Sequence, residues 1–200
     1  AHEDVYVAVR DAFNAIQRAH GKPRLMEKTP SNCLRLPFMH AVYPDARILL
    51  VLRDGRSVVN STTDMQQRKG RLSVAFKRAA STPLHEWPAE GGRVVDVFRR
   101  RVLGQPLRIW GPRPPGWREW VRNDHPDVVR AKQWSATILT AYRDAQAIIE
   151  KARSRNADPG VLIFRYEDLI DNPAETFARI LEFCELSHFL RLYLNWNVYK

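Results

Sequence analysis

The stretch RILLVLRDGRSVVNS, Arg47 to Ser61, changes character halfway along. Arg47 to Leu52, with the apolar run Ile48–Leu52 set between arginines, reads as a buried strand. Polarity breaks at Arg53-Asp54-Gly55-Arg56, and a helical pattern then runs from about Gly55 to Gln67. In a parallel α/β sheet, ligands bind beyond the carboxyl ends of the strands. Arg53 ends a strand, so its guanidinium can reach that crevice, and its planar fork suits a phosphate. Ser61, eight residues on, lies about two turns into the helix and offers a hydroxyl to the same anion. Gly55 is read as letting the backbone turn tightly. A strand-ending ion pair between Arg53 and Asp54, ahead of a plain helix, explains the same residues equally well on chemistry alone.

Outward from this stretch the chain reads as alternating helices and strands. Val5, Val9, Ala12, Phe13 and Ile16 recur at helical spacing, and Gly21 stops that helix. A short strand, Arg24 to Lys28, is expected next. Thr29-Pro30 has the form of an N-cap followed by proline at the first helical position. A helix to Val42 follows, with a break expected at Pro37. Arg68 to Asp124 is rich in proline and tryptophan and reads as a variable lid or insertion. A long helix is expected from Val128 to Arg155, then a loop at Asn156–Gly160, then a strand in VLIFRY, Val161 to Tyr166. Asn172-Pro173-Ala174-Glu175 reads as a capping box opening a last helix, with Phe177, Ile180, Leu181 and Cys184 on its apolar face. The alternation predicts one α/β domain over residues 1–200, with a parallel sheet covered on both faces.

Composition narrows the partners. A formal net charge of +10 favours an anionic ligand, and charge by itself does not choose among nucleotide, nucleic acid, sulfated group or acidic membrane. No helix-turn-helix, zinc-finger or RNA-recognition signature supports nucleic acid, so none is expected as a partner. Cys33 and Cys184 stand outside any CxxC or Cys/His cluster, and the histidines share no metal-like spacing, so no metal is expected. No apolar run approaches the ~20 residues of a membrane span. The N-terminal residues lack the apolar centre of a signal peptide, which leads to a cytoplasmic expectation. The bias of arginine over lysine fits a GC-rich bacterial genome.

Three motifs together carry a resemblance. The segment Arg47–Ser61 resembles the 3′-phosphate-binding segment of sulfotransferases that use 3′-phosphoadenosine 5′-phosphosulfate (PAPS). Its Arg-Asp-Gly-Arg form is closest to the bacterial and tyrosylprotein-sulfotransferase-like branches. EKTPSN, Glu27 to Asn32, resembles the family's segment whose lysine contacts the transferring sulfuryl group. VLIFRYEDLIDNP, Val161 to Pro173, resembles the family's strand, Tyr-Glu-Asp-Leu turn and proline-started helix. The resemblance implies a P-loop-NTPase-like three-layer α/β/α fold with a parallel sheet. It implies sulfuryl transfer from PAPS to a hydroxyl acceptor, with 3′-phosphoadenosine 5′-phosphate as product and no metal. Lys28 would then stabilise the sulfuryl group, Arg53 and Ser61 would hold the 3′-phosphate, and Tyr166 would sit by the nucleotide. Glu167 and Asp168 are read as structural. By its own chemistry Tyr166 is equally a half-buried tyrosine closing the sheet edge.

The sequence also departs from the family. Cytosolic members place a histidine base two residues after the lysine, where this chain has Pro30. The family's opening strand and Arg-Ser-Gly-Thr loop, which cradle the 5′-phosphosulfate on backbone N–H groups, have no counterpart here. The first βα unit is therefore expected to be missing. Two readings stay open: a truncated sulfotransferase, favoured by the start at Ala1, or a non-catalytic anion- or partner-binding protein on a degenerate form of the fold.

Overall fold

The computed structural model describes residues 2–67 and 111–186. Most of the expected lid lies outside them, as do Arg99–Arg101, Trp110, and the chain end from residue 187. The chain packs as two compact units, one formed by Ala1–Asp54 with Ser135–Lys200 and the other by Gly55–Trp134.

The first unit holds a mixed α/β arrangement around a small parallel sheet. Helix α1 (His2–Ala19) opens with Glu3 and Asp4 and ends with Arg18, complementary to its dipole. A 3₁₀ turn (Pro30–Leu34) and helix α2 (Leu36–Val42) follow. The break expected at Pro37 falls instead at Arg35, because Pro37 occupies the first turn of α2, where a missing N–H costs nothing. The face α1 buries is rotated from the expected one. Val5 and Ile16 are exposed, and Tyr6, Val9 and Phe13 are turned inward. Tyr6 meets Phe38 at 5.4 Å and Phe13 meets Tyr43 at 6.2 Å. A helix as short as α2 covers only a narrow stripe of α1, and polar groups finish the contact. Arg10 Nε donates to the Val42 carbonyl at 2.8 Å, satisfying one of the orphan acceptors at the end of α2. The Tyr43 hydroxyl bonds Asn14 Oδ1 at 2.9 Å.

Strands β1 (Ile48–Leu52) and β2 (Val161–Arg165) pair in parallel, from Ile48 opposite Val161 to Leu52 opposite Arg165. Leu50 and Val161 point to one face and pack with Leu36, Ala141, Ala145 and Ile148. The two alanines are fully buried; their small side chains let the strands lie close to the helix that carries them. That helix runs Pro126–Arg153, close to the expected span. On the other face Leu49 and Val51 remain 39% and 44% exposed, so this face of β1 is not covered among the described residues. Helices Tyr166–Asp171 and Pro173–Phe183 follow β2. Asn172 and Pro173 stand at the expected cap and first position, yet the Asn172 side chain makes no capping bond. The Thr176 hydroxyl instead donates to the Asp168 carbonyl at 3.0 Å, which ties this helix to the one before it.

The strand expected at Arg24–Lys28 does not form. The segment is exposed and joins no ladder in the described residues. Strand status needs a neighbour to take the backbone hydrogen bonds, and none is paired with it here. Side chains anchor it instead. Arg24 donates to the Cys184 carbonyl and lies 3.7 Å from Glu185.

Glu185 is shared with Arg47, which also pairs with Asp158 and lies 5.3 Å from the Phe183 ring centre. The cluster thus ties together the residues just before β1, just before β2 and just after the last helix. Hydrogen bonding to Arg47 holds the Asp158 and Glu185 carboxyls below their ordinary values. Carboxylates with depressed folded-state values contribute stability that is full above about pH 5, beyond the ordinary carboxyl range, and is lost as pH falls through the lowered values. The melting temperature should therefore fall as pH drops from about 6 to 3. In Arg47→Met, which removes the shared partner, the acid-dependent part of that fall should shrink. An unchanged acid slope in Arg47→Met would refute the linkage.

In the second unit, helix α3 (Gly55–Gln67) follows β1 with the expected bounds. A short helix, Trp117–Asn123, follows the Gly111–Gly116 turn. Pro114 is fully buried, and Gln133 Nε2 holds the Pro112 carbonyl at 2.6 Å. Trp117 lies between Arg113 and Arg118, whose guanidinium carbons are 5.0 and 4.9 Å from its ring centre. This part of the tryptophan-rich segment is held by packing and cation–π contacts.

Candidate active site at the strand ends

The site begins where the β1–β2 ladder stops. Leu52 and Arg165 form its last pair. The next residues in the same register are Arg53 and Tyr166, and the Arg53 guanidinium carbon lies 4.7 Å from the Tyr166 ring centre. The contact sets the guanidinium against the aromatic ring, an arrangement in which a guanidinium can still donate N–H bonds to an anion. Arg53 is exposed and forms no ion pair among the described residues. The strand-ending ion pair with Asp54 is thus not what holds it. Tyr166 is half-buried and closes the end of the sheet while serving as the platform for Arg53.

One residue further on, Asp54 and Glu167 meet. Glu167 Oε1 accepts the Asp54 backbone N–H at 2.9 Å, and its other oxygen lies 3.8 Å from Arg165 Nε. That backbone bond is the leading reason the Glu167 carboxyl sits below its ordinary value. Sequence reading had assigned Glu167 only a structural part. The strand expected to Tyr166 stops at Arg165, and the register of the two strands, which spacing along the chain does not record, is what puts Glu167 opposite Asp54.

Gly55 is needed for a reason other than the one expected. Its φ is not in the left-handed region. A Cβ there would lie 2.8 Å from the Trp134 ring carbons, so the indole packs directly on the glycine backbone. Trp134 was expected in the core and is half-buried.

The remaining predicted residues are placed separately. Lys28 stands in the exposed extended segment, immediately before the N-cap Thr29 of the 3₁₀ turn, and has no ion-pair partner among the described residues. Thr29 has the extended backbone of a cap, with φ −118° and ψ 123°, but no side-chain capping bond. Its neighbour Glu27 accepts a hydrogen bond from the Asn32 amide. No contact of Lys28 with Arg53 or Tyr166 occurs among the described residues. Ser61 is exposed on α3. The structure therefore brings Arg53, Tyr166 and Glu167 into one place.

Comparison with known proteins bears on that place. A family model described as "Sulfotransferase family" matches residues 2–110. A "Putative protein-tyrosine sulfotransferase" of Caenorhabditis briggsae is 26% identical over 113 residues, covering 50% of this chain and 39% of that protein. One of the same description from Caenorhabditis elegans is 28% identical over 95 residues, covering 42% and 36%. The chain thus spans well under half the length of these curated relatives. No solved structure matches. The family match takes in EKTPSN, β1 and the Arg-Asp-Gly-Arg turn, more than half of the chain, and on that ground the chain belongs to the sulfotransferase family.

Proposed function

We propose that this chain is the part of a sulfotransferase that binds the 3′-phosphoadenosine end of PAPS and helps move its sulfuryl group to a hydroxyl acceptor. The observation that carries the reading is the Arg53–Tyr166 stack at the carboxyl ends of two parallel strands. It supplies a guanidinium with no ion pair among the described residues beside an aromatic ring, which suits a phosphate next to a nucleoside. In this reading Arg53 bonds the 3′-phosphate and Tyr166 borders the nucleotide. Ser61 is assigned to the same phosphate on its spacing from Arg53 alone.

Sulfuryl transfer moves an existing anion from one oxygen to another, so the protein mainly positions groups and stabilises charge. Lys28 is assigned the charge that builds on the sulfuryl and leaving oxygens, its ammonium being exposed and unpaired among the described residues. The cofactor's phosphosulfate is the activated group, and basic side chains meet the charge without a metal. The fold proposed is the P-loop-like three-layer α/β/α domain, with residues 68–124 as its variable segment. The strand and phosphate loop that cradle the 5′-phosphosulfate are assigned to sequence outside this chain. The relatives' descriptions make a tyrosine hydroxyl the first acceptor to test.

Calorimetric titration with adenosine 3′,5′-bisphosphate, beside ATP and AMP, tests the reading. The bisphosphate should bind selectively. Arg53→Ala should cost about 1.5–3 kcal/mol of that binding, the size of a charge-assisted hydrogen bond, and leave AMP affinity unchanged. Equal binding of all three nucleotides, or no binding to well-folded protein, would sink it and return the chain to the non-catalytic reading.

A further inference from the structure

Two consecutive residues after β1 meet two consecutive residues after β2. The ladder's pairing of Leu52 with Arg165 continues as Arg53 against Tyr166 and as Asp54 against Glu167. The means of contact changes at that point. Helix begins at Tyr166, so the second strand's backbone turns away and can offer no further ladder carbonyl to β1. The Asp54 N–H, the next donor along, is taken by a side chain instead, Glu167 Oε1 at 2.9 Å.

We infer that Glu167 is a positioning residue, its carboxylate extending the β1–β2 ladder by one hydrogen bond and so holding the turn that aims Arg53 at the nucleotide's 3′-phosphate. The inference rests on the sulfotransferase reading for the identity of that phosphate, and on the geometry above for the rest. The Arg53–Tyr166 contact also joins the turn to β2, and that contact is made by the very side chain that has to bind the anion. Glu167 separates the two tasks: it fixes the backbone, and Arg53 is left to meet the ligand. A carboxylate near an anion site would ordinarily repel the ligand. Here its oxygens face the Asp54 amide and Arg165. The bond requires an acceptor oxygen at that point and does not require a charge.

The test compares Glu167→Ala with Glu167→Gln, whose amide oxygen can still accept, in the full-length protein. Exchange of the Asp54 amide, read by NMR, should accelerate by about tenfold or more in Glu167→Ala and stay near wild type in Glu167→Gln. Affinity for adenosine 3′,5′-bisphosphate should fall about tenfold in Glu167→Ala, AMP affinity should not change, and Glu167→Gln should stay within about threefold of wild type. Equal losses for both nucleotides with a lowered melting temperature would reduce Glu167 to a structural residue and overturn the inference. Unchanged bisphosphate affinity in Glu167→Ala, or a Glu167→Gln loss matching that of alanine, would also overturn it. Wild-type protein that protects the Asp54 amide but ignores the bisphosphate would mark failure of the sulfotransferase reading, and Glu167 would then position no phosphate ligand.

Discussion

Lys28→Met should lower turnover by about 10²–10³-fold, the loss seen when one group stabilising transition-state charge is removed. The measurement is steady-state sulfuryl transfer from PAPS to a tyrosine-containing peptide by the full-length protein. The proposed function assigns Lys28 to charge that develops as the sulfuryl group leaves the 5′-phosphate. The loss should therefore fall on kcat, with little change in affinity for adenosine 3′,5′-bisphosphate, which carries no sulfuryl group. Methionine keeps most of the apolar stem, and the segment is exposed, so folding should be unaffected. Turnover within about threefold of wild type would remove Lys28 from the chemistry. A matching loss of bisphosphate affinity would make it a general anion contact instead.

Leu50→Ala should cost about 2–5 kcal/mol of unfolding free energy. Leu50 is 6% exposed at the centre of β1, and its cluster contains Leu36, Ala141, Ala145, Ile148 and Val161. The two alanines belong to a long helix whose backbone cannot collapse inward to fill the cavity. Leu49→Ala, one residue earlier, is the control. Leu49 is 39% exposed on the opposite face and should lose far less. Urea unfolding of the two variants decides the matter. Equal losses would mean that the two faces of β1 are buried alike, contrary to the structure.

These two expectations draw on different sources. Leu50 was legible in advance as part of a strand, but its partners were not. A five-residue apolar run, Ile48–Leu52, between arginines marks a strand by its length and bounds. It does not say which of Leu49 and Leu50 faces the helix, because alternation is hidden when every position is apolar. Lys28 was legible only through resemblance, since a lysine before a helix cap is otherwise an ordinary surface residue.

By itself the sequence determined the element order along most of the described chain, the bounds of α3, the two paired strands, the long helix and the proline-started last helix. Local chemistry sets each of these: proline at a helix's first turn, glycine and asparagine in the loop before β2, and apolar runs of strand length. Tertiary structure decided the rest. Arg24–Lys28 is read as a strand and stays out of the ladder among the described residues, because a strand exists only with a partner for its backbone. The apolar pattern of α1 holds at Val9 and Phe13 and not at Val5, Ala12 and Ile16, because the short α2 covers only a narrow stripe. Gly55 was read as a turn residue, and the indole of Trp134, remote in sequence, is what excludes a side chain there. Glu167 acquires its role only when β1 and β2 lie side by side in one register, which joins two segments more than a hundred residues apart. Spacing along a chain records local geometry, and contacts between distant segments are settled only when the sheet forms.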